Sequence, residues 1–248
     1  MRYLLGTLVL LVTGQLVALE LVARRLDTFD TLVVVSPGVT SLVLVYLLLL
    51  AHRPRPELLR LALPSGRQML AAVAFGLAAL AGQAALGTLL LVLFPDLARH
   101  PEMLGTETRD LLAGVPLVQR VLVAALLVPA LEELLFRGYL QGRLGGRWRA
   151  VLPVSVVFAL LHPGLLSTPY IFLFSLGLGY MVEGSSSVWT AVLGHVVNNG
   201  VVLAIGAAGP SPEQVAAIGP QLLLELPLPI LLAAAGPWYM WREFRWRT

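Results

Sequence analysis

Two adjacent carboxylates and one arginine interrupt an apolar part of the sequence and are its strongest candidates for chemistry. Glu132 and Glu133 end the wholly apolar run 121–131, and Arg137 follows four residues after Glu133. A charge at the centre of a bilayer costs about 2.5–3.5 kcal/mol on insertion scales, so charges that persist there usually have a partner or a task. Because an acid four residues before a base is a favourable helical pair, we predict an ion pair between Glu133 and Arg137. Glu132 projects about 100° away and remains available for catalysis.

Two later apolar stretches each carry a histidine with a neighbour four residues away. Phe158 precedes His162 in the first of them. His195 precedes Asn199 in the second, so each pair shares one helical face. A glutamate and a histidine can hold and deprotonate a water molecule, and a histidine with an asparagine can donate hydrogen bonds to a developing oxyanion. We therefore expect the Glu132 carboxylate to meet both pairs in one hydrolytic site.

Three other uses of these polar residues stay open at this point. They can serve only as interhelical hydrogen bonds, worth about 0.6–2 kcal/mol each. An acid and a histidine can also relay protons in a transporter, although such a relay does not need an asparagine beside a second histidine. Finally, Glu132, His162 and His195 match the zinc-ligand type of two histidines and one carboxylate, but the H-E-x-x-H motif of zinc peptidases is absent.

The composition indicates an integral membrane protein. Hydrophobic residues make up 58% of the 248 positions and charged residues 12%, whereas a soluble domain has about 25% charged residues. The mean hydropathy is +0.84. The basic residues flank apolar runs, which is typical of membrane topology, so we expect a lipid bilayer and no nucleic acid as partner. The chain has no cysteine, which excludes disulfides, thiolate metal sites and a cysteine nucleophile.

Apolar runs of about 20 residues can cross a bilayer as helices. We predict an all-α fold that forms a single transmembrane domain over residues 1–248, with about eight spans. The expected spans are 3–23, 31–51, 68–94, 116–141, 150–163, 168–184, 187–208 and 220–240. More arginines lie in the connections on the same side of the bilayer as the N-terminus than in those on the opposite side. Because basic residues are enriched on the cytoplasmic side, both termini are predicted to be cytoplasmic.

The connections and the small residues carry further expectations. Residues 52–67 are predicted to form a short amphipathic stretch at the membrane interface, and the acidic segment 95–114 is expected to face outward. The pairs Ala72/Gly76 and Ala78/Gly82 in the third span, and Gly177 with Gly179 in the sixth, are typical of close helix packing and need no chemistry.

The ordered motifs resemble those of the CPBP intramembrane protease family, which includes the CAAX prenyl endopeptidase and bacteriocin-processing or self-immunity proteins. The motifs are Glu132-Glu133-x-x-x-Arg137, Phe158-x-x-x-His162 and His195-x-x-x-Asn199, within a core of about residues 116–208. The resemblance implies eight membrane helices around a conical polar cavity that opens toward the cytoplasm, and it implies peptide-bond hydrolysis.

In that family pattern, Glu132 and His162 activate a water molecule, and His195 and Asn199 stabilise the oxyanion. The supporting residues are then Glu133, Arg137 and Phe158. Family members have been described both as glutamate proteases and as metalloproteases. Because an asparagine is a poor zinc ligand and a good hydrogen-bond donor, we favour a reaction that needs no cofactor, with zinc on Glu132, His162 and His195 as the alternative. Asn198, one residue earlier, is the nearest competitor for the role of Asn199.

The sequence thus predicts an intramembrane endopeptidase, dependent on a glutamate or on a metal, that cleaves a membrane-associated protein or peptide. Its expected location is the bacterial inner membrane. Two alternatives are a non-catalytic membrane scaffold or bacteriocin-immunity protein and, less favoured, a proton-coupled transporter. The resemblance does not carry over a substrate.

Overall fold

Helices form all the regular structure in the described part of the chain. The computed structural model describes residue 43 and residues 56–100, 115–145, 147–162, 166–206 and 227–244. Every regular element within these ranges is helical, which confirms the predicted all-α class. The predicted span 3–23, all of 31–51 except Val43, most of the acidic segment and both chain termini lie outside the described residues.

Six main helices follow one another within these ranges. They are α1 (Gly66–Leu93), α2 (117–143), α3 (Arg147–Leu160), α4 (Thr168–Ser185), α5 (Val188–Gly206) and α6 (Pro227–Glu243). Two short 3₁₀ turns, Pro56–Leu59 and Pro95–Arg99, flank α1. Each of the last six predicted spans therefore corresponds to one observed helix.

Two of the described helices are long and apolar enough to cross a membrane. They are Gly66–Leu93 and, within α5, Val188–Ile205. By contrast, α3 has 14 residues and reaches about 21 Å at 1.5 Å per residue, which is less than the hydrocarbon thickness of about 30 Å. The helix positions agree with the predicted spans, but the predicted number of eight membrane crossings is not confirmed.

Helix α2, which carries both glutamates, contains two π-helical segments. The segments Val121–Leu127 and Leu134–Leu140 are π-helical, and they flank the α-helical turn Val128–Glu133. Pro129 gives a reason for the first π segment, because a proline has no N–H and its ring clashes with the carbonyl four residues earlier in an α-helix. A wider turn separates those groups. π-Helical turns are rare and occur often at functional sites.

Small residues let the helices approach closely. α1 packs mainly along α5 and α6. A Cβ added to Gly76 would lie 2.5 Å from the Gly194 carbonyl oxygen, so α1 and α5 touch backbone to backbone. On α4, a Cβ added to Gly177 would overlap the ring of Phe75. These contacts confirm the predicted packing role of Gly76 and Gly177.

The segment before α1, residues 56–65, packs partly on α2, and the amphipathic interfacial stretch predicted over 52–67 stays a prediction. The segment consists of the turn Pro56–Leu59 and then residues without regular secondary structure, of which Leu61 and Leu63 are exposed. Leu59 is buried and lies where a Cβ on Gly138 of α2 would come within 3.2 Å of it. At least one apolar residue of this segment, Leu59, therefore packs against the protein itself.

Candidate active site

The predicted ion pair forms, and it is completely buried. Arg137 Nε lies 3.1 Å from Glu133 Oε2, and Arg137 Nη1 donates a hydrogen bond of 3.2 Å to Glu133 Oε1. Both side chains are 0% exposed. The pair is confirmed with the order and spacing that the sequence indicates. Because two buried charges are tolerated only with good mutual geometry and further hydrogen bonds, their other partners matter.

Glu133 has a second partner, His195 on α5. His195 Nδ1 lies 2.8 Å from Glu133 Oε1, and the His195 side chain is only 5% exposed. A carboxylate accepts hydrogen bonds, so Nδ1 is the donor and Nε2 is the ring nitrogen that remains for other contacts. Sequence reasoning assigned Glu133 to Arg137 alone. The structure shows that Glu133 also orients a predicted catalytic histidine and links α2 to α5.

Ser175 on α4 completes the environment of Arg137. Arg137 Nη2 donates to Ser175 Oγ at 2.7 Å and to the Ser175 carbonyl at 3.4 Å. The serine is buried. Sequence reasoning did not single out Ser175, although a serine inside the apolar run 168–184 was an available signal. Arg137 therefore connects α2 with α4, while Glu133 connects α2 with α5.

Phe158 brings the second histidine to the same cluster. Its ring centroid lies 4.4 Å from that of His162, 5.9 Å from that of His195, and 4.2 Å from Arg137 Cζ. His162 follows the last turn of α3, and its Nδ1 lies 2.7 Å from the Phe158 carbonyl oxygen. Since a carbonyl only accepts, Nδ1 carries the proton and Nε2 of His162 presents a lone pair. This is the tautomer that can accept a proton from water.

Glu132 differs from its neighbour. It is partly buried, and its side chain forms no hydrogen bond or ion pair with any residue that the structure describes. It nevertheless lies in the electrostatic field of His195, Glu133 and Arg137. On α2, Glu133 therefore has two partners and Glu132 has none among the described residues, while the catalytic roles assigned to them stay predictions.

Asn199 lies one turn beyond His195 on α5 but contacts a different part of α2. Its Nδ2 donates a hydrogen bond of 3.1 Å to the Ala124 carbonyl oxygen. The competing Asn198 is buried and donates to the Gly76 carbonyl at 3.3 Å and to the Tyr170 hydroxyl at 3.5 Å. Both asparagines thus bind backbone carbonyls of neighbouring helices, and within the described ranges neither bonds directly to the histidines.

The alternative zinc ligands are not gathered into one coordination site. In the part of the chain that the structure describes, no group of three His, Asp or Glu side chains is arranged to hold a metal ion. The carboxylate on His195 is that of Glu133 and not Glu132. Among the described residues, these donors therefore do not form a zinc site.

The site thus combines a buried Glu133–Arg137–His195 cluster with Glu132, which has no partner among the described residues, and with His162. Residues 114–201 match the family model described as type II CAAX prenyl endopeptidase Rce1-like. That range includes all seven predicted site residues, so the match confirms the resemblance to this protease family and supports the endopeptidase class.

One curated relative was also found. The UPF0177 protein YxdF of Lactococcus lactis subsp. lactis (strain IL1403) is 39% identical over 59 residues, which are 24% of this chain and 33% of that protein. The chain thus spans about a third of the length of the relative that it matches. No solved structure matches the chain significantly.

Proposed function

We propose that this protein is an intramembrane endopeptidase that hydrolyses a peptide bond in a membrane-associated protein or peptide. The observation that carries the proposal is the pair of adjacent glutamates with different environments. Glu133 is held by Arg137 and His195, whereas Glu132 has no partner among the described residues. A carboxylate without a partner, beside a buried glutamate that is held by an arginine and a histidine, is suited to act as a base.

Glu132 and His162 are the groups proposed to activate water. His162 Nδ1 is used on the Phe158 carbonyl, so Nε2 accepts one hydrogen bond from the water, and the Glu132 carboxylate accepts the other. The water then directs a lone pair at the scissile carbonyl carbon. Glu132 takes the proton as the new C–O bond forms, and it returns that proton to the amine when the C–N bond breaks.

His195 and Asn199 are proposed to stabilise the oxyanion. His195 already donates through Nδ1 to Glu133, so donation from Nε2 as well requires the imidazolium form, in which both nitrogens are donors. The Glu133 carboxylate is the counter-ion for that form. Asn199 uses one N–H on Ala124 and has a second N–H to donate. Two oriented donors in a water-poor site are the usual means of lowering such a barrier.

The membrane setting is supported by the outward faces of the helices. Large apolar side chains are exposed on α1, α2 and α6, including Leu77, Leu89, Leu122, Leu231 and Trp238. Such patches on a soluble monomer are rare, whereas lipid contact accounts for them. The bacterial inner membrane and cytoplasmic termini remain part of this proposal.

The test compares peptides with new N-termini in membranes that contain the wild-type protein or the Glu132→Gln variant. Labelling of free N-termini followed by mass spectrometry should find cleavage products that disappear with Glu132→Gln and with His162→Ala. Glu183→Gln, which removes a carboxylate on α4 outside the cluster, is the matched control and should retain the products. Identical N-termini in all four samples would instead favour the non-catalytic scaffold.

A chelator arm tests the metal alternative in detergent with the substrate so identified. We expect cleavage to continue in the presence of a strong zinc chelator. Loss of cleavage on chelation, with recovery on addition of zinc alone, would overturn the metal-free mechanism and make Glu132, His162 and His195 the candidate ligands.

A further inference from the structure

Pro129 interrupts the backbone hydrogen bonding of α2 four residues before Glu133. It is buried and follows the π-helical segment Val121–Leu127. At the end of that segment the Val128 N–H bonds to the Val123 carbonyl, five residues earlier. The next pair in the same register is position 129 with Ala124, and a proline has no N–H to donate.

The Ala124 carbonyl therefore lacks its donor in that register, and a side chain from another helix supplies one. Asn199 Nδ2 on α5 donates to the Ala124 oxygen at 3.1 Å. Unpaired backbone carbonyls in an apolar environment are costly, so such a group recruits a donor strongly. The missing N–H, the π register and the Asn199 contact all meet at the Ala124 carbonyl, which indicates that the three features are linked.

This contact fixes more than the distance between α2 and α5. The side-chain amide of asparagine is planar and has two N–H donors. With one N–H on Ala124, the orientation of the amide, and with it the direction of the second N–H, is restrained by the backbone of α2, the helix that carries Glu132 and Glu133.

We propose that Pro129 is a positioning residue, which leaves the Ala124 carbonyl without a backbone donor and thereby anchors Asn199 so that its second N–H is directed to the oxyanion. The last part of this statement rests on the proposed function; the anchoring itself does not. A proline that merely bends the helix, or an asparagine that merely joins two helices, predicts different results in the following experiment.

The first measurement reads the anchor without any activity. The chain contains two asparagines, Asn198 and Asn199, so [15N]asparagine labelling of the whole protein in detergent yields two side-chain NH₂ pairs by NMR. Asn199→Ala assigns them. Pro129→Ala restores an N–H that competes for Ala124, so the Asn199 pair should move and its two protons should become more alike, while the Asn198 pair stays in place.

The control is Pro237→Ala, which removes a proline that lies inside α6 and is exposed. It should leave both pairs unmoved. Thermal unfolding of Pro129→Ala should occur at the wild-type temperature or higher, because alanine is a far better helix former than proline. An unmoved Asn199 pair in a folded Pro129→Ala protein would overturn the proposal.

The second measurement connects the anchor to catalysis, with the substrate found by N-terminal labelling. Losing an oxyanion donor typically costs about 10²–10³ in rate, so a misdirected donor in Pro129→Ala should lower kcat about tenfold with KM nearly unchanged. In the Asn199→Ala background, Pro129→Ala should have no further effect on kcat. Equal effects of Pro129→Ala in both backgrounds would overturn the positioning role. A shifted Asn199 pair in a protein that cleaves nothing would retain the anchor and reject the proposed function.

Discussion

Two polar networks connect α2 to α4, one helical turn apart, and they differ in what they leave unpaired. In the first, Arg137 binds Ser175; in the second, Gln141 Nε2 donates to the Gly179 carbonyl at 3.0 Å. Each α2 residue thus meets the α4 residue 38 positions later. The constant offset means that the two helices run in the same direction, with matched polar contacts between them.

The second network consists of Gln141, Glu183 and Arg60 and is partly exposed to solvent. Glu183 Oε1 accepts from Gln141 Nε2 at 2.7 Å and from Arg60 Nη1 at 2.8 Å. The Arg60 side chain is 22% exposed and that of Glu183 is 10% exposed. One acid is balanced by one base and one amide, and no carboxylate is left over. This network attaches the segment before α1 to the helices that carry the site.

The first network is fully buried and has one more carboxylate than its ion pair needs. Glu133 and Arg137 are 0% exposed, and Glu132 stands beside them without a partner among the described residues. An ion pair between these helices or their flanking segments does not by itself identify a site in this protein. The informative feature is the acid that remains after the pair is complete.

The largest effect on stability is expected from removing Arg137, the basic residue of the first network. Arg137→Ala leaves Glu133 with only His195 and removes the contact with Ser175. Losing one partner of a buried pair typically costs about 3–5 kcal/mol. We therefore expect a lower folded yield and a lower free energy of unfolding in detergent, together with loss of cleavage.

Arg149→Ala, which truncates an exposed arginine of α3, is the control for Arg137→Ala and should behave like the wild type. A contradicting result would be an Arg137→Ala protein with wild-type yield and unfolding free energy and no cleavage. In that case a direct contact between Arg137 and substrate is the better account of the arginine.

A smaller effect is expected from Ser175→Ala. The variant removes one hydrogen bond to a charged group, which typically contributes about 1.5–3 kcal/mol, while Glu133 and its two partners remain. The free energy of unfolding should decrease by an amount in that range. The decrease in kcat should be smaller than in Glu132→Gln. Restoring the hydroxyl as threonine should recover part of both.

Ser155→Ala is the matched control, since Ser155 is also a buried serine, on α3. Should Ser155→Ala and Ser175→Ala lower kcat equally, the loss would reflect packing of the bundle, and the contact between Ser175 and Arg137 would have no special part in the site.

The sequence predicted those features that depend on spacing along one helix. The Glu133–Arg137 pair and the contact between Phe158 and His162 both follow from an i,i+4 relation, and both were found. The positions of six helices also agree with apolar runs in the sequence. The catalytic assignments to Glu132, His162, His195 and Asn199 stay predictions.

Contacts between helices were harder to predict. They depend on the rotation of each helix about its axis and on its position along that axis, which cannot be inferred from the spacing of residues in one sequence. The bond between His195 and Glu133, and the contact of Ser175 with Arg137, are of this kind. The π segments of α2 were missed for a different reason. Pro129 is visible in the apolar run, but a proline is compatible with a kink as well as with a change of register.

The smallest effect is expected from breaking the second network at Arg60. Arg60→Ala removes the ion pair with Glu183 but leaves the bond from Gln141 to the same carboxylate. The segment before α1 also keeps its backbone contacts, in which the Arg60 carbonyl accepts from the Val188 N–H and the Leu61 carbonyl accepts from the Trp189 indole. Because the pair is partly solvated and only one of several anchors, we expect a loss of about 1 kcal/mol or less in unfolding free energy.

Cleavage by Arg60→Ala should stay within twofold of the wild type, since nothing in the first network loses a partner. A double-mutant cycle with Glu183→Gln measures the coupling directly, and about 1 kcal/mol or less is expected. If Arg60→Ala instead lowered kcat more than tenfold at unchanged stability, the second network would affect the reaction as well as the fold. The contrast between the two networks would then be wrong, and the segment before α1 would be part of the catalytic apparatus.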